Sequence, residues 1–205
     1  MTKLKKPRSY SDFTLEHLQT MFEIKDKLHP LNLGGQPLNP SDWLTLTLER
    51  QIQIPTTTEK AKSEFLISPI LAEIHYKNLT KFNLFSGYTF DVASAEALKG
   101  RCDFLLARAP YSLNIEAPIC AVFEAKDDSL EHWLGQCGAE MYAARRFNQS
   151  SHEPLEIIHG AVTNGNEWLF LRLEEQTLWV DTVQYSYRNL PELLGVLQKV
   201  IDFYS

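Results

Sequence analysis

The sequence predicts an α/β fold: a central mixed β-sheet flanked by helices. Three observations point there. Residues 119–123, Ile-Cys-Ala-Val-Phe, form a near-continuous apolar run, the mark of a strand buried on both faces. Residues 130–147 set Leu134, Cys137, Met141 and Ala144 at three- and four-residue steps, the stripe of a helix. A second apolar run at 157–162 stops at Thr163-Asn164-Gly165-Asn166, a turn signal, so strand, helix and strand would make a crossover with the two strands parallel.

The remaining elements follow in order. Residues 1–11 read as a disordered basic lead. Thr14 can cap a helix that carries Leu15, Leu18 and Phe22 on one face, with Phe13 stapled on Leu18. Residues 31–41 hold Gly34, Gly35, Pro37 and Pro40 and read as a loop. Residues 42–62 fit no single period. Residues 64–76 read as a helix with Ser68-Pro69 near its start, or as one that begins near Ser63 and bends at Pro69. Strands are expected at 84–92 and 102–106, and a hairpin at 168–173 and 177–183. Asn189 and Glu192 could form a capping box before a final stripe of Leu193, Leu197, Val200 and Tyr204. One domain over 63–205 with an N-terminal extension over 1–62 packed on it is the simplest partition.

The 205 residues are 44% apolar, enough for one full core and too apolar for a disordered chain. No run approaches membrane-spanning length. Three cysteines cannot make a disulfide framework, and the first residues lack a signal peptide's apolar stretch, so a reducing, cytoplasmic compartment is expected. The net charge is −6; four of the 20 basic residues sit at Lys3–Arg8, leaving 16 (20 less 4) against 26 acidic ones elsewhere. Such a body disfavours long non-specific tracking of nucleic acid but is compatible with carboxylates that hold metal.

Polar residues that interrupt the apolar runs are the informative ones. Asp103 lies inside a strand candidate, between Cys102 and Phe104. Glu124 and Lys126 directly follow the buried run and, two apart in a strand, share a face. Unpaired charges there are costly. If Asp103 lies on the neighbouring strand, two carboxylates and an ammonium converge, a set that could hold Mg²⁺ or Mn²⁺ with help from the Ala125 carbonyl. A simple strand-end salt bridge to Lys126, from Asp103 or Glu124, is the alternative.

Gly100-Arg101-Cys102-Asp103-Phe104 followed by Ala121-Val122-Phe123-Glu124-Ala125-Lys126 resembles the PD-(D/E)XK nuclease superfamily over roughly residues 63–185. Cys102 stands where its literal motif has proline. The resemblance implies a restriction endonuclease-like core, ordered helix, three antiparallel strands, helix, strand. It implies that Asp103 and Glu124 bind metal, that Lys126 is the motif lysine, and that Gln136, ten residues on, is a catalytic glutamine. Glu140 shares the Gln136 face. The Gln-x-x-x-Tyr pattern of exonuclease branches is absent, since the tyrosine is Tyr142. A glutamate of the preceding helix would complete the metal shell. Glu64 and Glu73 are the candidates, and an unkinked helix cannot aim both inward.

The implied function is a Mg²⁺- or Mn²⁺-dependent nuclease hydrolysing phosphodiester bonds in DNA, with no organic cofactor, no membrane and, to cut both strands, a homodimer. Two alternatives stand beside it: an inactive nuclease-fold protein that serves as a binding partner, and an unrelated metal-assisted hydrolase. No zinc finger, basic helix or helix-turn-helix accompanies the core. The histidines lack ligand spacing, the cysteines make no Cys-x-x-Cys, and Arg145 and Arg146 suit a helix C-terminus or a phosphate backbone.

Overall fold

The structure is a computed structural model and describes residues 4–51, 53–126 and 129–205. Its centre is a mixed seven-stranded sheet in the order β1-β7-β6-β5-β4-β3-β2. The strands are β1 (Lys25–Leu28), β2 (Asn83–Thr89), β3 (Arg101–Ala107), β4 (Ile119–Ala125), β5 (Ile157–Thr163), β6 (Glu167–Glu174) and β7 (Thr177–Ser186). The helices are α1 (Leu15–Phe22), α2 (Asp42–Gln51), α3 (Glu59–Lys62), α4 (Ser68–Lys77), α5 (Leu134–Ser150) and α6 (Leu190–Asp202). Among the described residues no helix is long and apolar enough to cross a membrane.

β2, β3 and β4 form an antiparallel meander, and α5 then returns the chain to β5, which pairs with β4 in parallel. Every residue of β4 is buried, as its apolar run requires. Helices cover both faces. Leu18 of α1 and Cys137 and Met141 of α5 pack on one side against Val122, Val162 and Leu171. Ile70 and Ile74 of α4 and Leu193 and Leu197 of α6 pack on the other against Phe104, Phe123 and Trp168. α5 approaches β5 closely because Gly160 has no side chain: a Cβ there would lie 2.5 Å from the Met141 sulfur.

The N-terminal region departs from the sequence expectation. Pro7 and Tyr10 are buried, and the Tyr10 hydroxyl donates to the Phe90 carbonyl at 2.7 Å, so the basic lead is pinned rather than free. Thr14 does cap α1. Its hydroxyl accepts from the His17 N–H at 3.3 Å, and its own N–H donates to His17 Nδ1 at 3.1 Å. The imidazole thus does the reciprocal work that Glu or Gln does in the usual capping box. The extension supplies an edge strand, β1, parallel to β7, and the helices α1 on α5, α2 on α4, and α3, which leads into α4.

Residues 42–62 resolve into α2 and α3. Thr58 caps α3: its hydroxyl accepts from the Ala61 N–H at 3.2 Å. α3 runs through a π-helical turn, Ser63–Ile67, into α4. The widened turn precedes Pro69, whose ring crowds the carbonyl four residues back and whose nitrogen cannot donate. At the other end, Asn189 makes no capping bond; its amide donates to the Glu192 carboxylate at 2.8 Å, and Ser186 accepts from the Arg188 N–H.

Candidate active site

The predicted residues meet where β3 and β4 part. The last register pair between them is Phe104 with Phe123, and one step further sets Asp103 opposite Glu124. There the ladder opens. The Ala125 N–H donates not to backbone but to the Asp103 carboxylate, at 2.9 Å. On the other side of Asp103 lies Gly87, between the pairs Ser86–Phe104 and Tyr88–Cys102. Gly87, Asp103 and Glu124 therefore make one row across three strands.

Beyond β4 the Lys126 N–H donates to the Thr163 carbonyl at 2.8 Å, which fixes the backbone past the strand end. Its ammonium lies 2.7 Å from Glu124 Oε1 and 3.7 Å from Glu59 Oε2. It also sits 4.5 Å from the centre of the Trp133 ring, within reach of a cation–π attraction. From the first turns of α5, the Gln136 amide donates to Glu124 Oε1 and, at 3.0 Å, to Glu140 Oε1. Glu124, Lys126, Gln136 and Glu140 are all buried.

Burial pushes Glu124 well above the usual carboxylate range, and the nearby Glu140 and Asp103 push the same way against the Lys126 ammonium. Burial likewise pushes Glu140 up, to about 7, against the hydrogen bonds from Gln136 and Glu124. Burial alone would lower the Lys126 pKa; the Glu124, Glu59 and Asp103 carboxylates outweigh it, and the net direction is upward. One ammonium cannot neutralise two buried carboxylates, so the two glutamates hold protons more tightly than free carboxyls do, and Lys126 holds its own more tightly than a free lysine.

Not all the predicted acids are here. Glu64 pairs with Lys60 at 2.5 Å and lines a cleft of about 340 Å³ with Asp103, Glu59, Arg101 and Gly87. Glu73 does not share that cleft. It accepts from the Ser41 hydroxyl at 2.7 Å and its N–H at 2.9 Å, and pairs with Lys77 at 3.3 Å. Burial raises its pKa, but these partners prevail and hold it low. Both acids lie in one continuous helical run, and the π-helical turn resets the phase between them. A larger cleft, about 820 Å³, lies around Tyr142, Arg145 and Glu175, toward the other end of α5 and away from the motif.

Glu59, Trp133 and Gly87 carry no signal in the sequence that ties them to this site. Glu140, placed by the sequence on the Gln136 face, is fully buried. Among the described residues no group of three or more His, Cys, Asp or Glu side chains is spaced to hold a metal ion. The donor chemistry nonetheless suits a hard divalent cation. Glu124 Oε2, Gln136 Oε1 and Glu140 Oε2 are buried oxygens without a hydrogen-bond partner, and Asp103 stands beside them. No protein-family model and no curated protein matches this chain.

Proposed function

We propose that this chain is a divalent-metal-dependent phosphodiesterase acting on DNA, a nuclease of the PD-(D/E)XK type with a restriction endonuclease-like core. The observation that carries the reading is the convergence of Asp103, Glu124, Lys126 and Gln136 from β3, the end of β4 and α5 around unpartnered buried oxygens. The order α4, β2, β3, β4, α5, β5, with an antiparallel meander and a parallel return, agrees with the order that the sequence resemblance implies.

Asp103 and Glu124, with the Ala125 carbonyl and Glu64 at the cleft, would hold Mg²⁺ or Mn²⁺, which supplies an activated water and offsets charge on the phosphate. The chain's own contribution is positioning. Asp103 fixes the Ala125 peptide through its N–H. Lys126, held protonated, donates to a water or phosphate oxygen and offsets negative charge; its raised pKa makes it a poor base. Gln136 gives its amide protons to the glutamates, which leaves Oε1 to accept from a water.

A second reading is an inactive binding protein on the same fold, favoured by the Lys126–Glu124 ion pair, which lets Lys126 serve as a permanent counter-ion. Calorimetric titration with Mn²⁺ separates them. The nuclease reading expects binding by the wild type and a loss of at least about tenfold in Asp103→Asn, the scale of one lost ligand or its support. No binding by the wild type would overturn it.

A further inference from the structure

We propose that Arg101 is the phosphate-binding residue of this site, its guanidinium engaging a backbone phosphate of the nucleic-acid strand beside Asp103; the proposal rests on the nuclease reading. Two positions make the case. Arg101 opens β3, two residues before Asp103, and it lines the same cleft. Gly87 lies opposite Asp103 on β2, and a Cβ built on it would fall 2.5 Å from one guanidinium nitrogen of Arg101 and 3.1 Å from Nε. The Arg101 head group therefore occupies the space that any other residue at Gly87 would fill. The glycine also holds a φ of 69°, a conformation that costs other residues. A strand-interior glycine with this geometry marks a close approach, and here the approaching group is a cation.

Charge gives that cation a task. Glu59, Glu64 and Asp103 line the cleft and repel a polyanion. The two neighbouring lysines are occupied: Lys60 pairs with Glu64 and Lys126 with Glu124. Among the described residues Arg101 makes no ion pair, and it is solvent-exposed. A planar guanidinium matches two phosphate oxygens at once, which a lysine does not. At i and i+2 on one strand, Arg101 and Asp103 are about 7 Å apart along the chain, so a phosphate near the carboxylates lies within reach of the fork.

The test measures binding of end-labelled single-stranded and duplex oligonucleotides by fluorescence anisotropy, in Ca²⁺ to hold cleavage back, over a salt series. Mn²⁺ affinity is measured on the same proteins by calorimetry. Arg101→Ala should weaken DNA binding about tenfold and reduce the slope of log affinity against log salt by about 1, with Mn²⁺ affinity unchanged. Arg101→Lys should restore the slope but not the full affinity. Gly87→Ala, which also strains the strand, should weaken DNA binding when Arg101 is present and, in proteins shown to be folded, weaken it no further in Arg101→Ala, because its effect on binding runs through that guanidinium. If Arg101→Ala binds DNA with wild-type affinity and slope, the assignment is wrong while the nuclease reading stands. If the wild type binds Mn²⁺ but neither oligonucleotide, the phosphate contact is refuted. If it binds neither metal nor DNA, both readings fall.

Discussion

The Lys126 ammonium and the Glu124 carboxylate, two residues apart at the end of β4, form a 2.7 Å ion pair in which both side chains are almost wholly buried. The pair shares its site with a second buried carboxyl, Glu140, held through Gln136. Lys126 therefore has two tasks that are normally separate. It offsets charge that the fold has taken out of water, and in the proposed nuclease it would also offset charge on a phosphate.

The structural task predicts a stability loss that the sequence understates. A strand-end lysine is ordinarily dispensable for folding, but this one is buried, paired and stacked on Trp133. Lys126→Ala should cost about 3 kcal/mol in urea unfolding, because Glu124 loses the buried cation paired with it. Lys126→Met keeps the apolar stem on the ring and should recover about 1 kcal/mol of that. Equal stability of all three proteins would show that the ion pair is energetically idle.

Glu73 offers a control for the metal site. Its carboxylate is committed to Ser41 and Lys77. Glu73→Gln should lower stability by about 1–3 kcal/mol through the weakened buried hydrogen bonds and leave the Mn²⁺ affinity at the wild-type value. A loss of Mn²⁺ affinity comparable to that of Asp103→Asn would place Glu73 in the metal shell.

His159 predicts a pH dependence that is independent of the site. Its Nδ1 lies 2.7 Å from the Tyr204 hydroxyl. Burial, with a smaller contribution from the Arg172 charge, lowers its pKa from 6.5 to about 4. The folded chain thus keeps His159 neutral where the unfolded chain takes up a proton. The stabilisation is fully present above pH 6.5 and is lost as pH falls through about 4, a change of about 3 kcal/mol. Urea unfolding across that window should show the wild type's advantage over His159→Gln shrinking with falling pH. An advantage constant with pH would contradict it.

The parts of the fold legible in the sequence are those whose side chains report burial directly. The run 119–123 and the α5 stripe name their own environments, and Asp103, Glu124 and Lys126 stand out because they interrupt apolar runs. β1 gives no such report. All four of its residues are exposed, and it is held to β7 through backbone pairing, which any side chains permit. Tyr10 is fixed by groups some eighty residues away. The stripe of α2 is blurred because Trp43 and Leu46 face outward. Choosing between Glu64 and Glu73 from helical phase assumes a regular helix, and the turn Ser63–Ile67 breaks that assumption. Glu59 joins Lys126 across 67 positions of chain (126 less 59), a separation that no local pattern encodes.

The most direct test is cleavage of a mixed pool of linear, nicked, branched and single-stranded DNA with Mn²⁺ by three identically purified proteins: the wild type, Lys126→Met and Glu124→Ala. Circular dichroism first establishes that each is folded. The wild type should cut at least one substrate, and Lys126→Met should be slower by roughly 10²-fold or more, the scale of a positioned proton donor at the reacting group. Glu124→Ala should fall at least as far. Equal cutting by all three would trace the activity to a contaminant, and no cutting by a wild type that also fails to bind Mn²⁺ would contradict the nuclease assignment.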